Sequence, residues 1–108
     1  MDRIAILEGM RAKTPEDPMI HFMLGNEYAK AGRDADAVAA LTAYLARQED
    51  EGSAYRLLAQ AYERLGDREA ARVAYRQGIA QAAKFHHASM VEEFTVALND
   101  LRDPSSRA

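Results

Sequence analysis

The chain has 108 residues, of which 22 are alanine and only 11 are Val, Ile or Thr, a composition that favours helix over strand. This length fits a single domain able to bury a core unaided, and the lack of cysteine excludes disulfides, thiol catalysis and thiolate metal sites. With 14 basic against 17 acidic side chains the net charge is −3, so nothing draws the chain as a whole toward a polyanion such as nucleic acid.

The first segment, MDRIAILEGMRAK, interrupts any apolar run with Arg3, Glu8, Arg11 and Lys13, which excludes a secretory signal and predicts an amphipathic helix carrying Ile4, Ile6, Leu7 and Met10. It stops before Thr14 and Pro15, because a residue preceding proline is pushed out of the helical region. Asp17 then supplies an N-cap and Pro18 a first helical position where a missing N–H costs nothing. Ile20, Leu24, Tyr28 and Ala31 mark one face of this second helix, and Gly32 ends it. A third helix starts near Asp34 and carries Ala37, Val38, Leu41, Tyr44 and Leu45. Tyr55, Leu58, Tyr62 and Leu65 follow on a fourth, which Gly66 closes, and Asp67 caps a fifth with Ala70, Ala71, Ala74, Tyr75 and Ile79. Val91, Phe94, Leu98 and Leu101 give the apolar face of a sixth, and residues 104–108 read as a flexible tail. Every stretch long enough to cross a bilayer contains a charge, so no membrane span is expected and a cytoplasmic location is the default.

Laying residues 18–51 over 52–85 without a gap pairs Leu24 with Leu58, Tyr28 with Tyr62, Gly32 with Gly66, Ala37 with Ala71 and Ala40 with Ala74. The repeat period is the step from Pro18 to Gly52, each block being two helices joined by a tight turn and therefore antiparallel. Continued strictly, the register would bury Ser89, Glu92 and Glu93, so the last helix must be reset, by two residues on its apolar spacing.

With Pro18 and Gly52 as first positions, Leu24 and Leu58 stand seventh, Gly25 and Ala59 eighth, Tyr28 and Tyr62 eleventh, Gly32 and Gly66 fifteenth, and Ala37 and Ala71 twentieth. This pattern resembles the tetratricopeptide repeat (TPR) family, specifically a short bacterial-type TPR domain. The resemblance implies an all-α, right-handed solenoid of antiparallel hairpins with about six helices. A single domain over 1–103 would comprise a half-repeat at 2–14, repeats at 18–51 and 52–85, and a capping helix at 87–102. Three features depart from the family pattern: His21 and Tyr55 replace the usual tryptophan, Tyr44 and Gly78 replace an alanine at the twenty-seventh position, and neither block closes with proline.

The resemblance implies a non-catalytic protein–protein interaction module, an adaptor that binds a peptide or protein segment on the concave face of its first helices. That face would carry Met19, Phe22, Asn26 and Lys30 from one repeat and Arg56, Gln60, Glu63 and Arg64 from the next. Either Met19 and Phe22 are its apolar anchors, or they pack beneath the N-terminal helix. Of the family's clamp for chaperone carboxylates only Asn26 matches, since Phe22 and Leu57 replace a lysine and an asparagine. Two alternatives to the peptide reading are RNA or anion binding by an Arg68, Arg72 and Arg76 stripe, and self-association through exposed ends. The composition makes nucleic acid the weaker of these, and a homo-oligomer stays open. Adjacent His86 and His87 diverge on a helix, so no metal is expected, and no cofactor or catalytic constellation is evident. The Glu49, Asp50 and Glu51 run is expected to solvate a loop, and Met10 and Met90 to plug the core.

Overall fold

A computed structural model describes residues 2–101, which form α1 (Arg3–Lys13), α2 (Pro18–Lys30), α3 (Asp34–Leu45), α4 (Ser53–Arg64), α5 (Arg68–Lys84) and α6 (Ala88–Asp100). No strand occurs among the described residues. The fold is an all-α solenoid in which α2 pairs with α3 and α4 with α5, each new helix packing on the one before, to give an elongated body of 51 × 29 × 20 Å. The tail 104–108 and residue 102, the expected end of the last helix, lie outside the described residues.

Local chemistry sets the helix ends. The Asp2, Asp17 and Asp67 carboxylates accept from backbone N–H groups in the first turns of α1, α2 and α5, and Pro18 begins α2. At the other ends, Gly32 and Gly66 take positive φ of 74° and 79°, and the N–H groups of Arg33 and Asp67 reach back to the Tyr28 and Tyr62 carbonyls. The turn after α5 makes the same bond from the His87 N–H to the Ala82 carbonyl, yet its left-handed residue is His86, at φ 62°. A side chain there is strained where glycine is not. His86→Gly is therefore expected to raise stability by about 0.5–1 kcal/mol, the relieved strain exceeding the added freedom of the unfolded chain. A higher urea midpoint at unchanged slope checks it.

Small residues let the helices of a hairpin approach. A Cβ on Gly25 would lie 2.6 Å from Leu41, and Ala37, Ala59 and Ala71 are wholly buried. In one core cluster Ile4 and Leu7 of α1 meet Leu24 and Tyr28 of α2 and Ala37 and Ala40 of α3. In the other, Leu41 and Tyr44 of α3 join Leu58, Ala59, Ala74, Tyr75 and Phe94 from the three following helices. The reset of the last helix is observed: Phe94 is fully buried, and Glu92 and Glu93 stay outside. Gly78 makes it possible, because a Cβ there would come within 2.9 Å of the Phe94 ring.

Met10 and Asp50 depart from the places their sequence context suggests. Met90 does pack on the core, but Met10 is 42% exposed, on a side of α1 that no described helix covers. Asp50 does not solvate the loop; it is buried and accepts from the Gly52 N–H (2.8 Å), the Ala54 N–H (2.9 Å) and the Tyr44 hydroxyl (3.0 Å). The loop folds inward because Gly52 and Ala54, at the start of α4, have N–H groups without helical partners and Asp50 is the acceptor within reach. Burial and this hydrogen bond push the Tyr44 hydroxyl up to about 12.

Candidate protein-binding surface

The sequence-predicted residues separate into two groups. Phe22, Asn26 and Lys30, one turn apart on α2, line a hollow of about 340 Å³ together with Met23, Glu27 and Arg3 of α1. Phe22 is half-buried, its ring tilted against Tyr44 with centroids 5.0 Å apart, so its inner edge belongs to the core and not to the underside of the N-terminal helix. Met23 packs on the first core cluster, and Met19, a turn earlier, is 49% exposed outside the hollow. Met19 is thus largely open to solvent, and Phe22 packs on the second core cluster.

The polar wall is made by charges from two helices. Glu27 lies 3.0 Å from the Arg3 guanidinium and 3.9 Å from the Lys30 ammonium, so two cations share one carboxylate and the rim keeps a positive excess. Asn26 adds an amide that can donate and accept together. Two apolar side chains, an amide and cations around one hollow can hold an extended chain through its backbone and bind an acidic group beside an apolar side chain.

The second group, on α4, is turned to internal use. Arg56 grips Glu93 of α6 through two hydrogen bonds of 2.6 and 2.8 Å, and its guanidinium stands 5.5 Å from the centre of the Phe94 ring. Each partner supports the other's charge: Glu93 is held below the ordinary carboxylate value and Arg56 above the ordinary guanidinium value. Glu63 accepts from the Tyr75 hydroxyl at 2.5 Å, and burial followed by this bond raises the tyrosine above its ordinary value. Arg64 pairs with Asp34 at 2.8 Å, joining α4 to the start of α3. Gln60 is half-buried on the same helix. Arg3 and Glu27 are groove residues that the repeat pattern does not mark. Arg3 comes from the half-repeat, whose register mates Ala37 and Ala71 are buried and featureless, so no repeat-based signal marks it.

The arginine stripe is broken in its middle. Arg72 donates to Glu69 at 2.9 Å and to the Leu101 carbonyl, and its side chain is only 19% exposed, whereas Arg68 and Arg76 are exposed. His21 is buried with Nε2 2.6 Å from the Pro15 carbonyl oxygen, and His87 Nε2 lies 2.6 Å from Glu51. Among the described residues, no group of three or more His, Cys, Asp or Glu side chains is arranged to hold a metal ion. No helix among them is long and apolar enough to cross a membrane. A more apolar groove of about 570 Å³ runs between α3 and α5 over α4, bordered by Leu45, Tyr62 and Val73.

Comparison with known proteins agrees with this geometry. A TPR-repeat-containing protein of Pseudomonas aeruginosa, PA0015, is 36% identical over 96 residues, which span 88% of this chain and 90% of that one. The solution structure of protein BPP2914 from Bordetella parapertussis superimposes with a TM-score of 0.78 at 29% identity, covering 94% of this chain and 88% of that one. The sequence model of the tetratricopeptide repeat matches residues 2–82, and with the stacked hairpins it shows that this chain belongs to the tetratricopeptide repeat family.

Proposed function

We propose that this chain is a non-catalytic adaptor that takes up an extended segment of another protein, anchored in the hollow between α1 and α2. Repeats of this family generally act as protein–protein interaction modules. The observation that carries the finer reading is the convergence of Phe22, Met23, Asn26 and Lys30 with Arg3 in one hollow, while the charges of α4 are spent on neighbouring helices. The preferred ligand places an apolar side chain on Phe22 and Met23 and a carboxylate toward Lys30 and Arg3. RNA binding is the weaker alternative, since Arg72 is tied to Glu69 and Leu101.

Peptides selected from a random library on the wild-type protein should be rich in acidic and apolar positions. They should lose at least about tenfold in affinity for the double variant Asn26→Ala with Lys30→Glu, the effect of removing one charge-assisted contact and reversing its sign. Arg76→Glu, on exposed α5 surface, should bind them as the wild type does. Equal affinity for both variants removes the hollow from the binding site. Circular dichroism confirms that each variant is folded.

A further inference from the structure

We propose that copies of this chain associate end to end, the outer face of α1 in one molecule receiving α6 of the next, so that a complete hairpin forms between two chains. In each internal repeat a first helix is followed by the second helix that packs against it. The described chain opens on a helix of the second kind and closes on one of the first kind: Arg3, Ile6, Leu7 and Met10 lie one full period before Ala37, Ala40, Leu41 and Tyr44, and Phe94 takes the core position of Leu24 and Leu58. Among the described residues, α1 packs on α2 and α6 on α5, and no further helix covers the face of either that a hairpin mate covers elsewhere.

The consequence is visible in burial. Ala40 and Ala74, and Tyr44 and Gly78, are buried in the complete hairpins, whereas their mates Ile6 and Met10 are 45% and 42% exposed. Two large apolar side chains thus stand on one face of α1 at the very register that a first helix covers elsewhere. Gly9, beside them, has nothing within 4 Å of the place a Cβ would occupy, so that face is open to close approach.

Charge selects α6 as the occupant. α1 bears Arg3, Arg11 and Lys13 against Glu8 alone, whereas α6 bears Glu92, Glu93 and Asp100 and no basic side chain; with Arg3 paired to Glu27 and Glu93 to Arg56, exposed Lys13 and Glu92 are the complementary pair. Antiparallel docking, as in α2 with α3, sets Lys13 near Glu92 and brings Met10 beside the recess of about 380 Å³ lined by Ala83, His87, Ala88 and Val91 at the start of α6. The same comparison disfavours two α1 helices meeting across a two-fold axis, which would set Arg3 of one molecule toward Lys13 of the other. The contact is heterologous, so it propagates into a row of molecules, and with one helix per side it is weak and concentration-dependent. It does not depend on the peptide-binding reading.

Sedimentation equilibrium from about 10 µM to about 1 mM tests it. The average mass of the wild type should rise with concentration, and less so in high salt. Ile6→Glu with Met10→Glu spoils only the α1 end, and Glu92→Lys with Thr95→Arg only the α6 end; all four residues are exposed. Each double variant should remain monomeric alone, and an equimolar mixture should give one-to-one dimers and nothing larger, each variant lending its intact end. A wild type that stays monomeric throughout overturns the proposal. So does self-association that the α6 variant leaves intact, which would mark a symmetric α1 contact or another surface.

Discussion

Phe94→Ala is expected to lower stability by about 3–5 kcal/mol, a large part of the total for a domain of this size. The ring is fully buried, meets Tyr75 at a centroid distance of 5.8 Å, and lies under the Arg56 guanidinium. It is also the only buried side chain of α6, the rest of that helix being half-buried or exposed. Truncation leaves a cavity and leaves α6 held by the partly buried Met90, Ala97 and Leu98. The loss should therefore be local first: amide hydrogens of α6 should exchange much faster, while those of α2 and α3 change less. Gly78→Ala attacks the same contact from the other side, since its Cβ would intrude on the ring at 2.8 Å. Denaturant titration of both variants checks the prediction, and wild-type midpoints for both would show that α6 does not dock through Phe94.

Asp50→Ala is expected to cost about 3–5 kcal/mol, because it strands two backbone N–H groups and one hydroxyl in a buried place. The penalty is that of unsatisfied donors and not of lost apolar contact, so Tyr44→Phe in the Asp50→Ala background should recover part of it by removing one of them. The Tyr44 hydroxyl also sets a dependence on pH. Its folded value is raised from 10 to about 12, so the folded state favours the neutral phenol. The corresponding stability is fully present below pH 10 and is lost as pH rises from there toward about 12. Tyr44→Phe should lessen the fall of the denaturation midpoint across that window, the remainder coming from Tyr28, Tyr55 and Tyr75, which burial also raises; a series of urea titrations measures it.

Legibility in the sequence followed the range of the forces involved. Caps and stops act within a turn, and so Asp17 with Pro18, Gly32, Gly66 and Asp67 marked helix ends that the structure reproduces. The repeat period conveyed the stacking, because Leu24 and Leu58, or Ala37 and Ala71, face equivalent neighbours. The misfit of Glu92 and Glu93 with that period was enough to infer the reset of α6, though not that Gly78 admits Phe94.

Polar residues were harder to place, since their roles depend on partners distant in sequence. Asp50 sits in an acidic run that reads as solvated loop, and only the fold of the loop beneath Tyr44 buries it. Arg56 and Arg64 occupy groove positions by register, but Glu93 and Asp34 come within reach only when the hairpins stack. Conversely, Arg3 and Glu27 join the hollow because α1 crosses α2 at that height, a contact no periodicity encodes.

Entry of a partner segment into the hollow between α1 and α2 can be followed through the backbone amide shifts during titration with a library-selected peptide. The largest saturable changes are expected at Arg3, Phe22, Met23, Asn26 and Lys30. Changes confined instead to Leu45, Tyr62 and Val73, along the apolar groove between α3 and α5, would contradict it.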